Sequence, residues 1–150
     1  MHKTLFIALL ISGSFFVSNA ADAQLGSIPA AVTDSFTARY PNATNVAWKS
    51  KLSSYQVNFS FGNADHEARY SRKGEWESTE KVIKQADLPA AVKDGLDKSK
   101  YYDWKVEDVY VRYIPSGLTQ YHIVVNGGSL QKKNLLFSNE GRLIKDNSTL

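Results

Sequence analysis

A pentapeptide that returns sixty residues later is the strongest constraint on what this chain folds into. Ile28-Pro29-Ala30-Ala31-Val32 recurs as Leu88-Pro89-Ala90-Ala91-Val92, and Asp34 and Phe36 find counterparts in Asp94 and Leu96. Tyr55-Gln56-Val57-Asn58-Phe59 is matched by Tyr121-His122-Ile123-Val124-Val125. Tyr70-Ser71-Arg72-Lys73-Gly74-Glu75-Trp76 is matched in turn by Phe137-Ser138-Asn139-Glu140-Gly141-Arg142-Leu143. The offset grows from 60 to 67, so the loops between blocks differ in length. Three blocks in one order point to an internal repeat, with repeat one over about 27–83 and repeat two over about 87–147.

Each repeat opens on a helix. A proline at the first helical position costs little, because that N–H has no intrahelical partner. Val32, Phe36 and Tyr40 recur every four residues and share a face, and Pro41 ends the run. Val92 and Leu96 form the same stripe in the second repeat, where Gly95 weakens the helix by about 1 kcal/mol relative to alanine. Three or four strands follow each helix. Tyr55, Val57, Phe59 and Phe61 alternate with Gln56, Asn58 and Ser60, as in a half-buried strand. Val109, Val111 and Tyr113 alternate with Tyr110 and Arg112. Ile114-Pro115-Ser116-Gly117 then interrupts, and Tyr121 to Val125 resumes the pattern as the second arm of a hairpin. Gly74 and Gly141 mark tight turns, and Trp48 and Trp104 are expected to start the first strand of each repeat and pack on the helices. The predicted class is α+β: one curved antiparallel sheet with both helices on its inner face.

The N-terminus reads as an export signal. Lys3 supplies a positive start, Leu5 to Val17 is uncharged and apolar, and Ser18-Asn19-Ala20 ends the segment with small residues. Ala21-Asp22-Ala23 is a second small-x-small sequence, so residues 1–23 are assigned to a signal peptide cleaved after Ala20 or Ala23. The apolar run is shorter than the roughly twenty residues a membrane span needs, which predicts no stable membrane anchor after processing. The chain has no cysteine, so its fold rests on a core without disulfides, and thiol catalysis and thiolate metal sites are excluded. Cleavage after Ala20 removes Lys3 and takes the formal charge from +3 to +2, while cleavage after Ala23 also removes Asp22 and restores +3. Basic residues are interspersed with acidic ones, as in Lys105-Val106-Glu107-Asp108, unlike the concentrated basic stripe that binds nucleic acid.

These blocks carry a family resemblance. The paired Leu/Ile-Pro-Ala-Ala-Val helix openings, the Tyr-x-Val-x-Phe strand and the Phe-Ser-x-x-Gly-x-Leu hairpin resemble the PepSY-like, β-lactamase-inhibitor-like proteins. The resemblance covers residues 26–147 as a single domain, and its specificity lies in the order of the blocks. It implies a fold like that of the β-lactamase inhibitor protein, with tandem helix–sheet repeats and a concave sheet. It implies a small exported bacterial protein, and hence the periplasm. It carries no catalytic residues, and it does not imply that this chain inhibits a β-lactamase.

The residues themselves offer little chemistry. His66, in Asp65-His66-Glu67, is placed in a charged loop or hairpin edge, and His122 in mid-strand; two separated histidines fall short of a zinc set. Ser78-Thr79-Glu80-Lys81 and Ser129-Leu130-Gln131-Lys132 have the Ser-x-x-Lys spacing of penicillin-recognising enzymes but lack the Ser-Asp-Asn and Lys-Thr-Gly motifs that complete it. Asp103, Glu107 and Asp108 lack the ligand loop that calcium needs, and Asn126-Gly127-Gly128 reads as a turn. The expectation is therefore a protein that is not an enzyme and needs no metal or cofactor. One feature exceeds a plain scaffold. Alternation puts Tyr110, Arg112, His122, Val124 and Leu136 together on the outer sheet face, as a patch with residue types favoured in interfaces. Gln56, Asn58, Arg69 and Ser71 make the first repeat's outer face polar. The expected function is a periplasmic binding or inhibitory module whose partner is another envelope protein. The alternative is a structural, self-associating envelope accessory.

Overall fold

A computed structural model describes residues 27–148. The signal peptide assigned to residues 1–23 lies outside the described residues. The elements run in chain order as α1 (Ala30–Arg39), β1 (Thr44–Ser50), β2 (Ser54–Phe61), β3 (Ala64–Ser71), β4 (Trp76–Val82), α2 (Ala90–Asp97), β5 (Lys105–Tyr113), β6 (Thr119–Asn126), β7 (Lys132–Ser138) and β8 (Leu143–Ser148). A single 3₁₀ turn, Gln85–Asp87, precedes α2. The eight strands form one sheet in sequential order, antiparallel at every pairing. The class is α+β, with two helices and four strands after each.

The prolines cap the helices rather than occupy their first position, so each helix starts one residue later than the sequence suggests. Pro29 is the cap residue, and its carbonyl receives the N–H of Val32 at 2.9 Å and of Thr33 at 3.2 Å. Pro89 does the same for Val92 and Lys93, both at 3.0 Å. The fixed proline φ presets the first turn, and the missing N–H falls where no intrahelical partner exists.

Each helix buries its stripe in its own apolar cluster. Val32 and Phe36 pack with Tyr55, Val57, Phe59, Ala68 and Tyr70. Phe36 meets Phe59 edge-on at a centroid distance of 5.0 Å and Trp48 at 5.4 Å, the geometry that ring quadrupoles favour. Val92 and Leu96 pack with Leu88, Tyr101, Val109, Ile123, Val125, Leu135 and Phe137. Trp48 is central in β1 rather than at its start, and Trp104 precedes β5, edge-on to Tyr101.

The helices come close to the hairpin turns after β3 and β7. A Cβ at Gly74 would overlap the Ala31 carbonyl, and one at Gly141 would overlap that of Ala91. Both glycines have positive φ (89° and 80°), so the turn and the close approach both call for glycine.

Asp65-His66-Glu67 is not a loop or an edge. All three residues lie in β3, paired on one side with Ser60, Phe59 and Asn58, while His66 and Glu67 pair on the other with Lys81 and Glu80. His66 stacks on Phe59 at 5.3 Å, on the side of the first cluster, and burial pushes its pKa below the ordinary value. Its flat ring fills an apolar position, which the charged neighbours disguise in the sequence.

Candidate functional site

Period-two alternation fixes which residues share the opposite face. One row of partners runs Asn58, Glu67, Glu80, Arg112, Gln120 and Ser138 across β2 to β7. The next runs Val82, Tyr110, His122, Leu136 and Lys145 across β4 to β8. Between them the face hollows into a cavity of about 570 Å³, lined among others by Glu67, Arg69, Glu80, Tyr110, Arg112, His122, Asn134 and Lys145. A second hollow of about 340 Å³ adjoins it and shares Glu67, Glu80 and Tyr110.

Glu80 is the hub. Its carboxylate reaches over β5 to His122 Nδ1 at 3.0 Å and lies 3.8 Å from Arg112. His122 Nε2 is 2.9 Å from Asn134 Oδ1. Both ring nitrogens thus face acceptor oxygens, a geometry that suits the doubly protonated imidazolium. Tyr110 stacks on this ring at 5.2 Å with 25° between the planes. Burial lowers the His122 pKa, but the hydrogen bond and charge of Glu80, with the Asn134 bond, outweigh it and hold the imidazolium above its ordinary range. For Glu80 burial pushes upward, and the His122 bond with the charges of His122, Arg112 and Arg69 prevails, so its carboxyl lies below the usual range.

Glu67 behaves oppositely. It faces Glu80 directly across β3 and β4, and like charges so placed repel. Burial, and then the Glu80 charge, raise its pKa despite Arg69 at 3.6 Å. Gln56 donates to it at 2.8 Å.

The five residues expected on the outer face lie there, but their character differs from expectation. Tyr110, Arg112, His122, Val124 and Leu136 all line the cavity. Val124 is only 8% exposed and His122 has a side chain 20% exposed, so the patch is a charged hollow and not an open apolar surface. Glu67, Glu80 and Asn134 were missed by sequence reasoning. Glu80 lies inside the Ser78-x-x-Lys81 spacing, whose ends carry the motif that the sequence displays. In β4 that spacing is odd, so the serine and lysine point to opposite faces and cannot meet. Ser129 and Leu130 are in a turn with positive φ. Glu107 pairs with Lys132 at 2.6 Å and accepts from Asn126. Among the described residues no three His, Asp or Glu side chains gather where they could hold a metal.

The family model described as "Putative beta-lactamase-inhibitor-like, PepSY-like" matches residues 53–145. The chain belongs to the PepSY-like family. Solved structures share the architecture of this PepSY-like chain. A BLIP-like protein from Bacteroides fragilis is 27% identical with a TM-score of 0.70, over 85% of this chain and 91% of that one. A "putative periplasmic" protein from Bacteroides eggerthii is 22% identical with a TM-score of 0.72, over 82% of this chain and 90% of that one. No curated protein matches the chain. The PepSY-like match runs from β2 into the start of β8 and includes nearly all of the cavity's lining.

Proposed function

We propose that this is a non-enzymatic periplasmic binding or inhibitory module that engages another envelope protein through the hollowed face of the sheet. The observation that carries the reading is the cavity itself. Its charged and aromatic side chains come from five strands, β3 to β6 and β8, with Asn134 of β7 among them, and converge on one face of the sheet. A solvated scaffold has no need for a partly buried Glu80–His122–Arg112 network, which costs desolvation to assemble. The reading includes a chain built as two tandem helix-then-strands repeats, with both helices over the face opposite the cavity. The separate apolar clusters, the strand register and the matching contacts of Gly74 and Gly141 support it. Export through a cleaved signal peptide completes it. The tripartite N-terminal sequence and the periplasmic description of the Bacteroides eggerthii neighbour speak for export, and no described helix is long and apolar enough to cross a membrane.

The test is cross-linking of the purified protein to envelope extract, beside a Tyr110→Ala/Arg69→Ala variant with unchanged circular dichroism. A protein captured by the wild type, cross-linked at the cavity and lost in the variant, is the expected outcome. Equal capture by both sinks the reading.

A self-associating envelope accessory is the second reading. Exposed Val46 and Ile144 on the edge strands β1 and β8 favour it, since an open edge can pair with another chain. A bulge at Thr44/Ala47, where Asn45 has φ 53°, disturbs the β1 edge and works against it. Sedimentation at rising concentration decides: a strict monomer removes this alternative.

A further inference from the structure

The charges in the cavity do not balance. Glu80 is already committed to His122, and Glu67 to Gln56 and Arg69. Arg112 is left with a single loose contact at 3.8 Å, and its Nε is buried without a hydrogen-bond partner. Lys145, opposite Leu136 on β8, ends at the same cavity and has no ion pair among the described residues. With the imidazolium of His122, four cationic side chains surround two carboxylates. A buried donor without a partner is costly, and a guanidinium fork is shaped for a carboxylate.

We infer that the cavity receives an acidic side chain, an aspartate or glutamate carboxylate borne by the partner protein, with Arg112 as its main contact and Lys145 at the rim. The inference rests on the binding role proposed above and names its chemistry. A protein-borne acid fits better than a free one. Val82, half exposed beside Tyr110, offers apolar ground next to the charged cavity that a small acid would leave uncovered but a peptide would cover.

The experiment titrates the purified protein with three probes, followed by amide and arginine side-chain NMR. They are the capped peptide Gly-Glu-Leu-Glu-Gly, its Gly-Gln-Leu-Gln-Gly counterpart, and free glutarate. The glutamate peptide is expected to shift the Arg112 and His122 signals and to bind at least about tenfold more tightly than the glutamine peptide. Arg112→Gln should remove that preference. Lys145→Gln, an exposed change that leaves the core untouched, should reduce it about threefold and flatten its salt dependence. Equal affinity for the two peptides, no binding of either at millimolar concentration, or an unaltered preference in both variants overturns the inference. Glutarate binding as tightly as the glutamate peptide overturns the protein-borne occupant. An envelope protein captured through Tyr110 but indifferent to Arg112→Gln and Lys145→Gln leaves the binding role standing and removes the carboxylate. Capture that bypasses the face removes both.

Discussion

His122 holds two acceptors at once, and that makes it a sensor of its own protonation. Its pKa is raised in the folded state, so the stability it contributes is fully present below about 6.5, the ordinary value, and is lost as pH rises through the folded value. The groups facing it are Glu80, Asn134, Arg112 and Tyr110. Tyr110 has its own pKa raised, first by burial, and stays neutral through this window. Thermal melts are therefore expected to show the midpoint falling above pH 6.5, and His122→Gln should erase that fall. A wild-type curve flat from pH 6 to 9 would contradict the imidazolium. Glu80→Gln should cost about 2 kcal/mol, since it removes the charge from two contacts and leaves a partly buried cation facing a neutral amide. Urea denaturation measures it. Period-two alternation located Tyr110, Arg112 and His122 on the outer face, but it could not show the carboxylate that joins them. Glu80 is two strands from His122 in space and 42 residues away in sequence.

Helices and turns lock together through glycine, and the strongest test at the level of elements lies there. Gly141→Ala forces a Cβ into the Ala91 carbonyl and imposes a positive φ of 80° on an L-residue. Steric overlap and backbone strain together should cost about 3 kcal/mol. Gly117 has a similar φ of 78° but open space around it, so Gly117→Ala isolates the backbone share at about 1 kcal/mol. Chemical denaturation of the two variants compares them directly, and equal losses would deny the helix–turn contact. The helices and β2, β5 and β6 were legible because their apolar residues keep strict periods. β3 and β4 were legible only beside the Gly74 turn, because farther from it their inward positions carry His66, Thr79 and Lys81 where a core strand ordinarily shows aliphatics. Thr79 is buried because its hydroxyl has partners, Tyr40 at 2.6 Å and Trp76 Nε1 at 2.9 Å. One of these partners, Tyr40 at the end of α1, is 39 residues away, which no local pattern reveals.

The described residues form two apolar clusters with no residue in common, joined by one continuous sheet. The join is narrow: β4 and β5 pair through Thr79–Tyr113, Glu80–Arg112, Lys81–Val111 and Val82–Tyr110, where other strand pairs run longer. A unit of roughly sixty residues buries only about 60% of its unfolded surface and is marginal alone. Separation at the seam would also strip Glu80 from Arg112 and His122, leaving partly buried charges unpaired. The two clusters should therefore unfold as one. Trp48 and Trp76 report the first cluster and Trp104 the second. In a Trp48→Phe/Trp76→Phe background Trp104 is the sole tryptophan, so damage in the first cluster can be read from its emission in the second. Phe36→Ala, which empties the centre of the first aromatic cluster at a cost of about 4 kcal/mol, should lower the Trp104 denaturation midpoint by the full amount. A Trp104 midpoint that stays where it was would mean the seam yields first, and that the cavity spanning it opens before either core melts.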